Sequence, residues 1–313
     1  MIKPDGAKRI LVIGEINVDL VFKGCHAVPM PGKEVIADDF VMVPGSSSMI
    51  CAMGLARLGN AVAFHGKLGA DEWGDYCIAA LHGAGIDTAS LHQDAALRTG
   101  ITVSLSTPQD RALVTFAGAI AALRADEVDD TLLARADHLH ISSYYLQKAL
   151  RPGIRQLFAR ARAAGLTTSL DPGFDPDQVW DRDLLDTLHE VDVFLPNEQE
   201  LLAITGEGGL LAALHALDNG HTRTVVKLGR LGCASLDEGR LLEVPACTVD
   251  AVDSTGAGDS FDAGFLHAWL HAMPLRESMR WGSACGTLST RAIGGTAGQA
   301  DVTEVQALLM GAP

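Results

Sequence analysis

The sequence predicts an α/β fold: a largely parallel central sheet flanked by helices in three layers, with a small antiparallel β flap. Three observations carry this. Strand-like apolar runs alternate with helical stretches over most of the 313 residues. Two stretches, near 20–44 and 99–118, read as strands with no helix between them. A glycine- and aspartate-rich segment, DSTGAGDSFDAG (253–264), runs directly into a long apolar helix.

The elements follow in order. RILVIGEINVDLVF (9–22) opens as a buried strand and ends in alternation, and EVIADDFVMVPG (34–45) reads as a second strand. SSSMICAMGLARLG (46–59) has helical spacing and closes at Gly59. AVAFHGKLG (61–69) is a strand, and DEWGDYCIAALHGAG (71–85) is a helix with an acidic start. TGITVSLST (99–107) and RALVTFAG (111–118) are strands joined by the turn PQD (108–110). Strands then fall in DHLHIS, LTTSLDPG, VDVFLPN and TRTVVKLG, with helices in LRPGIRQLFARARAAG and EQELLAITG. Two long helices follow, FDAGFLHAWLHAM and one from about Leu275 to Ile293. There is no repeat and no linker, so residues 1–313 are expected to form one domain, with flap strands from about 15–45 and 98–119.

Composition bounds the function. Hydrophobic residues make up 48% of the chain and charged residues 20%, which suits a globular protein with a large core. A net charge of −15 disfavours nucleic acid or an anionic membrane as partner. It leaves room for a small anion, because a local nest of amides holds a phosphate on an acidic protein. No run of eighteen apolar residues occurs, and the polar start MIKPDGAKRI is not a signal core. The six cysteines are scattered without a CxxC pair, so they are expected to be reduced, in a cytoplasmic protein.

Two readings fit the glycine-rich segment. Thr255 or Asp259 could cap the following helix, with Gly256 and Gly258 only permitting the turn. Alternatively, the unpaired amides at the helix start meet an anion that the glycines let approach closely. A carboxylate at Asp259 should then stay ionised and accept a proton from a substrate hydroxyl, while the amides stabilise charge on a phosphoryl group. On the second reading, the stretch fits a place where a hydroxyl attacks a phosphate.

VDSTGAGDSFDAG resembles the C-terminal signature of the ribokinase, or PfkB-type, carbohydrate kinases, D-[ST]-T-G-A-G-D-x-F. Other resemblances follow in the family's order: GEINVDL (14–20), PGSSSMICAMGLARLG (44–59), PNEQE (196–200) with N-x-x-E, and KLGRLG (227–232). They span essentially the whole chain and imply a ribokinase-like fold. They imply Asp259 as catalytic base and Gly256, Ala257 and Gly258 as the anion hole. Asp253 and Thr255 fall where several members bind a monovalent cation such as K⁺. Asn197 and Glu200 match the pair that positions Mg²⁺ and phosphate, mostly through water, as suits a hard, hydrated cation. Lys227, Gly229 and Gly232 would shape the nucleotide loop, with the lysine able to reach a phosphate. Ser283 stands near the adenine, where Asn is frequent. Asn17 and Asp19, at i and i+2 of a strand, face one side and would hold sugar hydroxyls, beside Gly45 and Ser46.

The departures from the family pattern concern the acceptor. Its Gly-Gly pair is Gly45-Ser46 here, and its sugar-binding Asn is Ile50, which argues against ribose itself. Ser46, Ser47 and Ser48 could supply hydroxyls or cap the helix. Gly173 in DPGF replaces a phosphate-contacting Asn, and Ser142 or Ser143 stands near a position where some members carry a substrate Glu.

His267 and His271 lie at i, i+4 but lack a third ligand, so a metal site is not expected there. RADEVDD (124–130) reads as a solvated helix start, and Trp73 and Trp269 as core. The resemblance implies an ATP- and Mg²⁺-dependent kinase acting on the hydroxymethyl group of a small sugar, with a homodimer through the flap. The alternatives are a nucleoside kinase of the same family and a non-catalytic sugar- or nucleotide-binding regulator. A Rossmann dehydrogenase lacks support, because no GxGxxG follows the first strand.

Overall fold

The computed structural model describes residues 6–107 and 111–311, so the PQD turn lies outside the described residues. The chain enters along β1 (Arg9–Ile13), continues into β2 (Asn17–Lys23) and returns along β3 (Asp39–Pro44). α1 (Ser47–Arg57), β4 (Ala61–His65), β5 (Lys67–Gly69), α2 (Glu72–Gly83) and the short β6 (His92–Asp94) come next. β7 (Gly100–Ser106) and β8 (Arg111–Phe116) are followed by α3 (Asp130–Leu133). Regular alternation then gives β9 (His138–Ile141), α4 (Arg151–Ala163), β10 (Thr167–Leu170), α5 (Asp183–Leu188) and β11 (Val193–Phe194). α6 (Glu198–Thr205), α7 (Leu210–Ala216), β12 (Arg223–Lys227), β13 (Cys233–Asp237) and β14 (Arg240–Val244) follow. The described chain ends with α8 (Ala257–Leu270), α9 (Leu275–Ser289) and α10 (Val302–Gly311).

The main sheet has eight strands in the order β14-β13-β12-β11-β10-β9-β1-β4. Its pairs from β12 to β4 are parallel, and β13 and β14 are antiparallel additions at one edge. Alternate residues of the buried strands feed opposite faces. Leu11 and Ile13 join Leu139, Phe158 and Leu170 on one side, while Ile10 and Val12 join Leu55, Phe265 and Met279 on the other. Trp73 and Trp269 pack, partly buried, against the second cluster.

The flap is a separate four-stranded sheet, β3-β2-β7-β8. Its outer pairs are antiparallel, as the sequence suggests, but β2 and β7 run parallel, with Asp19 opposite Thr102. The pairing is parallel because the chain between them passes back through the main sheet at β4.

Several boundaries shift for local reasons. The strand expected over 34–45 begins only at Asp39, because its partner β2 ends at Lys23 and Gly24 turns away with φ +68°. The run 61–69 splits at Gly66 into β4 and β5. The helix expected to reach Ile293 stops at Ser289, where the Thr290 carbonyl accepts the amides of Val252 (2.7 Å) and Asp253 (3.1 Å) instead. Within RADEVDD, Asp129 caps α3 by accepting the Thr131 amide at 2.7 Å, and Glu127 pairs with Lys67 at 2.6 Å. α5, α7, α10 and the β13–β14 hairpin fall in stretches whose periodicity is too short to assign. No described helix is long and apolar enough to cross a membrane. The parallel strands send their C-terminal loops to one edge of the sheet, where such folds place ligands.

Candidate active site

α8 begins at Ala257, two residues before Asp259, with Gly256 as its N-cap in the left-handed conformation (φ 71°). A Cβ on Gly256 would lie 2.5 Å from the Gly295 Cα, so only glycine fits this turn. No side chain caps the helix, which sets aside the capping reading of Thr255 and Asp259. Thr255 turns the other way: its amide and hydroxyl donate to Asp253 Oδ1 at 2.9 and 2.8 Å. Ala257 N reaches Ser254 O at 3.2 Å, whereas the amides of Gly258 and Asp259 have no acceptor among the described residues. They form an anion site at the positive end of a 14-residue helix.

Beneath that helix start lies a buried charge cluster. Lys227, at the end of β12, donates to Asp171 Oδ2 at 2.7 Å and to both carboxylate oxygens of Asp262 at 3.1 Å. Asp171 follows β10 and Asp262 projects from the second turn of α8. Carboxylate oxygens of Asp171, Asp259 and Asp262 all lie within 4.8 Å of one another. Burial works against charge on Asp171, but Lys227 outweighs it and keeps this carboxyl below its ordinary range. Asp262 goes the other way: burial, with Asp171 beside it, pushes its pKa well up against the pull of Lys227. Lys227 was expected in the nucleotide loop. Its ammonium instead points under the anion hole, 3.7 Å from where a Cβ on Gly258 would stand.

Asp259 is part-buried over this cluster. Burial and the Asp171 charge raise its pKa to about 7, against Lys227 and the Ser47 hydroxyl, which lower it. The expectation of a carboxylate firmly ionised by nearby amides is therefore corrected, because desolvation and a like charge outweigh them. Asn197 and Glu200 form a reciprocal cap on α6, Glu200 Oε2 accepting the Asn197 amide (2.8 Å) and Asn197 Oδ1 the Glu200 amide (2.9 Å). Burial and Asp171 raise Glu200 to about 7. A buried carboxylate in that state suits a hydrated divalent cation, whose charge would draw it ionised.

The residues expected to hold the acceptor stand on the flap and the loop after it. Asn17 Nδ2 donates to Asp19 Oδ1 at 2.8 Å and to Thr102 Oγ1 at 3.1 Å, so the two polar residues share a face. Burial raises Asp19 to about 6. Gly45 is required by close approach, since its Cβ would fall 2.1 Å from Asp19 Oδ1. Ser46 is committed to structure: it caps α1 at Met49 N (3.1 Å) and donates to Glu15 O (2.7 Å). Ser48 donates to the Glu15 carboxylate. Of the three serines, Ser47 is the one whose hydroxyl turns toward Asp259. Ile50 is buried with its branch against Gly256 and Gly295.

In the stretch expected to shape the nucleotide loop, Gly229 opens the single 3₁₀ turn after β12 and Gly232 closes it. Ser283 is buried and donates to Pro245 O at 3.3 Å, so its hydroxyl is spent on the protein. His267 meets Asn60 through Nδ1 (3.1 Å), and His271 Nδ1–H donates to the His267 carbonyl at 2.7 Å.

The sequence reading missed Glu15, Asp171, Asp262 and Arg111. It also missed a buried row under α8, Thr167–His138–Ser169–His140–Ser142, linked at 2.7–2.8 Å and ending beside Asp171. Alternate residues of two adjacent strands, HLHIS and TTSLD, signal such a row once the strands are known to pair.

The sequence matches the description "pfkB family carbohydrate kinase" over residues 7–301. It is similar to a fructokinase of Klebsiella pneumoniae, 30% identical over 303 residues that cover 91% of this chain and 94% of the relative. Its fold is similar to that of an Arabidopsis thaliana ribokinase complexed with ribose and ATP (TM-score 0.85, 23% identity, 98% of this chain and 100% of that one). It is also similar to an E. coli structure described as a ribokinase II in complex with ATP and Mg²⁺ (TM-score 0.83, 22% identity, 97% and 99%).

The raised pKa of Asp259 has a stability consequence. The folded value, about 7, lies above the ordinary 3.8, so the native state holds this proton more tightly than the unfolded chain does. The stabilisation is complete below the ordinary value and is lost as pH rises through the folded one. Asp259→Asn should therefore melt a few degrees above the wild type at pH 8, with the difference closing toward pH 4. A gap of equal size at both pH values in thermal unfolding would contradict this assignment.

Proposed function

The chain belongs to the pfkB family of carbohydrate kinases and is an ATP-dependent sugar kinase, and from that premise we propose that it phosphorylates the hydroxymethyl group of a small sugar. The observation that carries this reading is Asp259, a part-buried carboxyl with a pKa near 7 set directly beside uncapped helix amides. A base poised near the working pH is what proton abstraction from a hydroxyl requires.

In the proposed reaction, Asn17 and Asp19 hold the acceptor by its hydroxyls. Asp259 takes the proton of the attacking hydroxyl as its oxygen bonds to the γ-phosphorus of ATP. The bond to ADP breaks on the opposite side, and the amides left free at the start of α8, at Gly258 and Asp259, stabilise the charge on the transferring group, whereas the Ala257 amide, expected to share this role, is taken by Ser254 O. Lys227 adds a fixed positive charge beneath those amides. Asn197 and Glu200 would hold Mg²⁺ through water, and the cation supplies neutralisation of the phosphate charges. Gly229 and Gly232 shape the nucleotide loop. The flap excludes water from the transfer. We place the reaction in the cytoplasm, on the ATP requirement and six free cysteines.

Fructokinase- or ribokinase-like chemistry suits the acceptor end, and Ile50, standing where the resemblance places a sugar-binding Asn, disfavours ribose. ADP release with Mg·ATP across pentoses, hexoses, sugar acids, sugar phosphates and nucleosides identifies the acceptor. Asp259→Asn should lower turnover by roughly 10²–10⁴-fold while ATP still binds, as loss of a general base does. An acceptor-dependent signal that survives in the variant would refute the assigned base. A nucleoside as best acceptor would favour the nucleoside-kinase alternative.

The outer flap exposes Phe40, Val114 and Phe116 on one face, and we propose that a second copy covers it. Sedimentation equilibrium should show a dimer that Val114→Lys converts to monomer. A monomeric wild type would end the proposal.

A further inference from the structure

The resemblance assigns Asp253 and Thr255 to a monovalent cation, and the residues present do not fit one. Asp253 Oδ1 accepts both the amide and the hydroxyl of Thr255, and Oδ2 accepts Gly294 N at 2.9 Å. The Thr290 carbonyl beside them takes two amides.

A cation is nonetheless present. Arg111, the first residue of β8, donates from Nη1 to Thr255 Oγ1 at 2.9 Å. Its charge acts on both Asp253 and Asp19 and favours their ionised forms. Arg111 arrives from the flap, in the same sheet as the acceptor residues. β8 pairs with β7, and β7 pairs with β2, where Thr102 accepts from Asn17.

We propose that Arg111 takes the place of the monovalent cation, delivered to the Asp253–Thr255 turn by the flap that carries Asn17 and Asp19. Thr255 immediately precedes Gly256, so a fixed charge on its hydroxyl reinforces the anion hole. Acceptor binding and completion of that hole are then one motion, which limits ATP hydrolysis when no acceptor is held. Arg111 is a positioning residue, acting through Thr255. The inference rests on the kinase reading.

The test compares KCl with tetramethylammonium chloride at equal ionic strength. Wild-type turnover should agree within about twofold in the two salts, and K⁺ should not raise the melting temperature. Arg111→Ala should keep its melting temperature, since the side chain is exposed, and lose roughly 10–100-fold in kcat, less than the roughly 10²–10³-fold that loss of a direct donor to the transferring group costs. Added guanidinium ion should restore part of that loss, and Arg111→Lys should retain part of the activity. A fully active Arg111→Ala, or a wild type that K⁺ both activates severalfold and stabilises, would overturn the proposal. A wild type inactive with every acceptor counts against the kinase reading instead, and K⁺-dependent melting then still decides whether the turn binds a cation.

Discussion

The ammonium of Lys227 is the constraint on which the rest of the site depends. Three carboxylates gathered within 4.8 Å in a buried place would repel one another and separate unless a cation stood among them. Lys227 provides it from the last residue of β12, with Asp171 from the loop after β10 and Asp262 from α8. Because those partners come from two strands of the sheet and the helix above it, the ion cluster fastens the start of α8 to the C-terminal edge of the sheet. Asp259 and the free amides are carried with it. The raised pKa of Asp259 follows from the same arrangement: the pile of carboxylates that must be neutralised is also what makes the topmost one hold a proton near neutral pH.

The proposed acceptor residues obey a different logic. They stand on a separate sheet joined to the main one through the loops after β1 and β3. Glu15 anchors the second of these by accepting from the Ser48 amide and hydroxyl. Gly45 leaves room for Asp19 and Asn17, so the flap and the first turn of α1 close on one another at that point. Phosphoryl transfer needs positioning more than covalent chemistry. An ion-bound helix start beside a separate sheet suits that positioning.

Much of this was legible in the sequence. The glycine at 256 marks backbone that must approach something closely, and Asn17 and Asp19 face one side because a strand alternates. The layers follow from strand–helix alternation. The cluster beneath α8 was not legible in the same way. Asp262 reads as one polar residue in a helix, and Asp171 as the end of a strand. Their meeting at Lys227 is a product of tertiary packing, which no local spacing encodes. The same holds for Lys227 itself, whose position after a strand suits a nucleotide loop equally well. Ser46 and Ser283 show the converse: residues placed at the right position by pattern whose hydroxyls the local backbone has already claimed. The parallel pairing of β2 with β7 also escaped, because strand pattern records alternation and not direction.

The most direct test of this account is a double-mutant cycle between Lys227 and Asp262, read by denaturant unfolding. Lys227→Met should destabilise by about 3–5 kcal/mol, because it leaves buried carboxylates without their cation. Asp262→Leu in that background should recover part of the loss, giving a coupling of about 1–3 kcal/mol. Additive effects, with the double variant as unstable as the sum of the two singles, would contradict the claim that this ion cluster holds the site together.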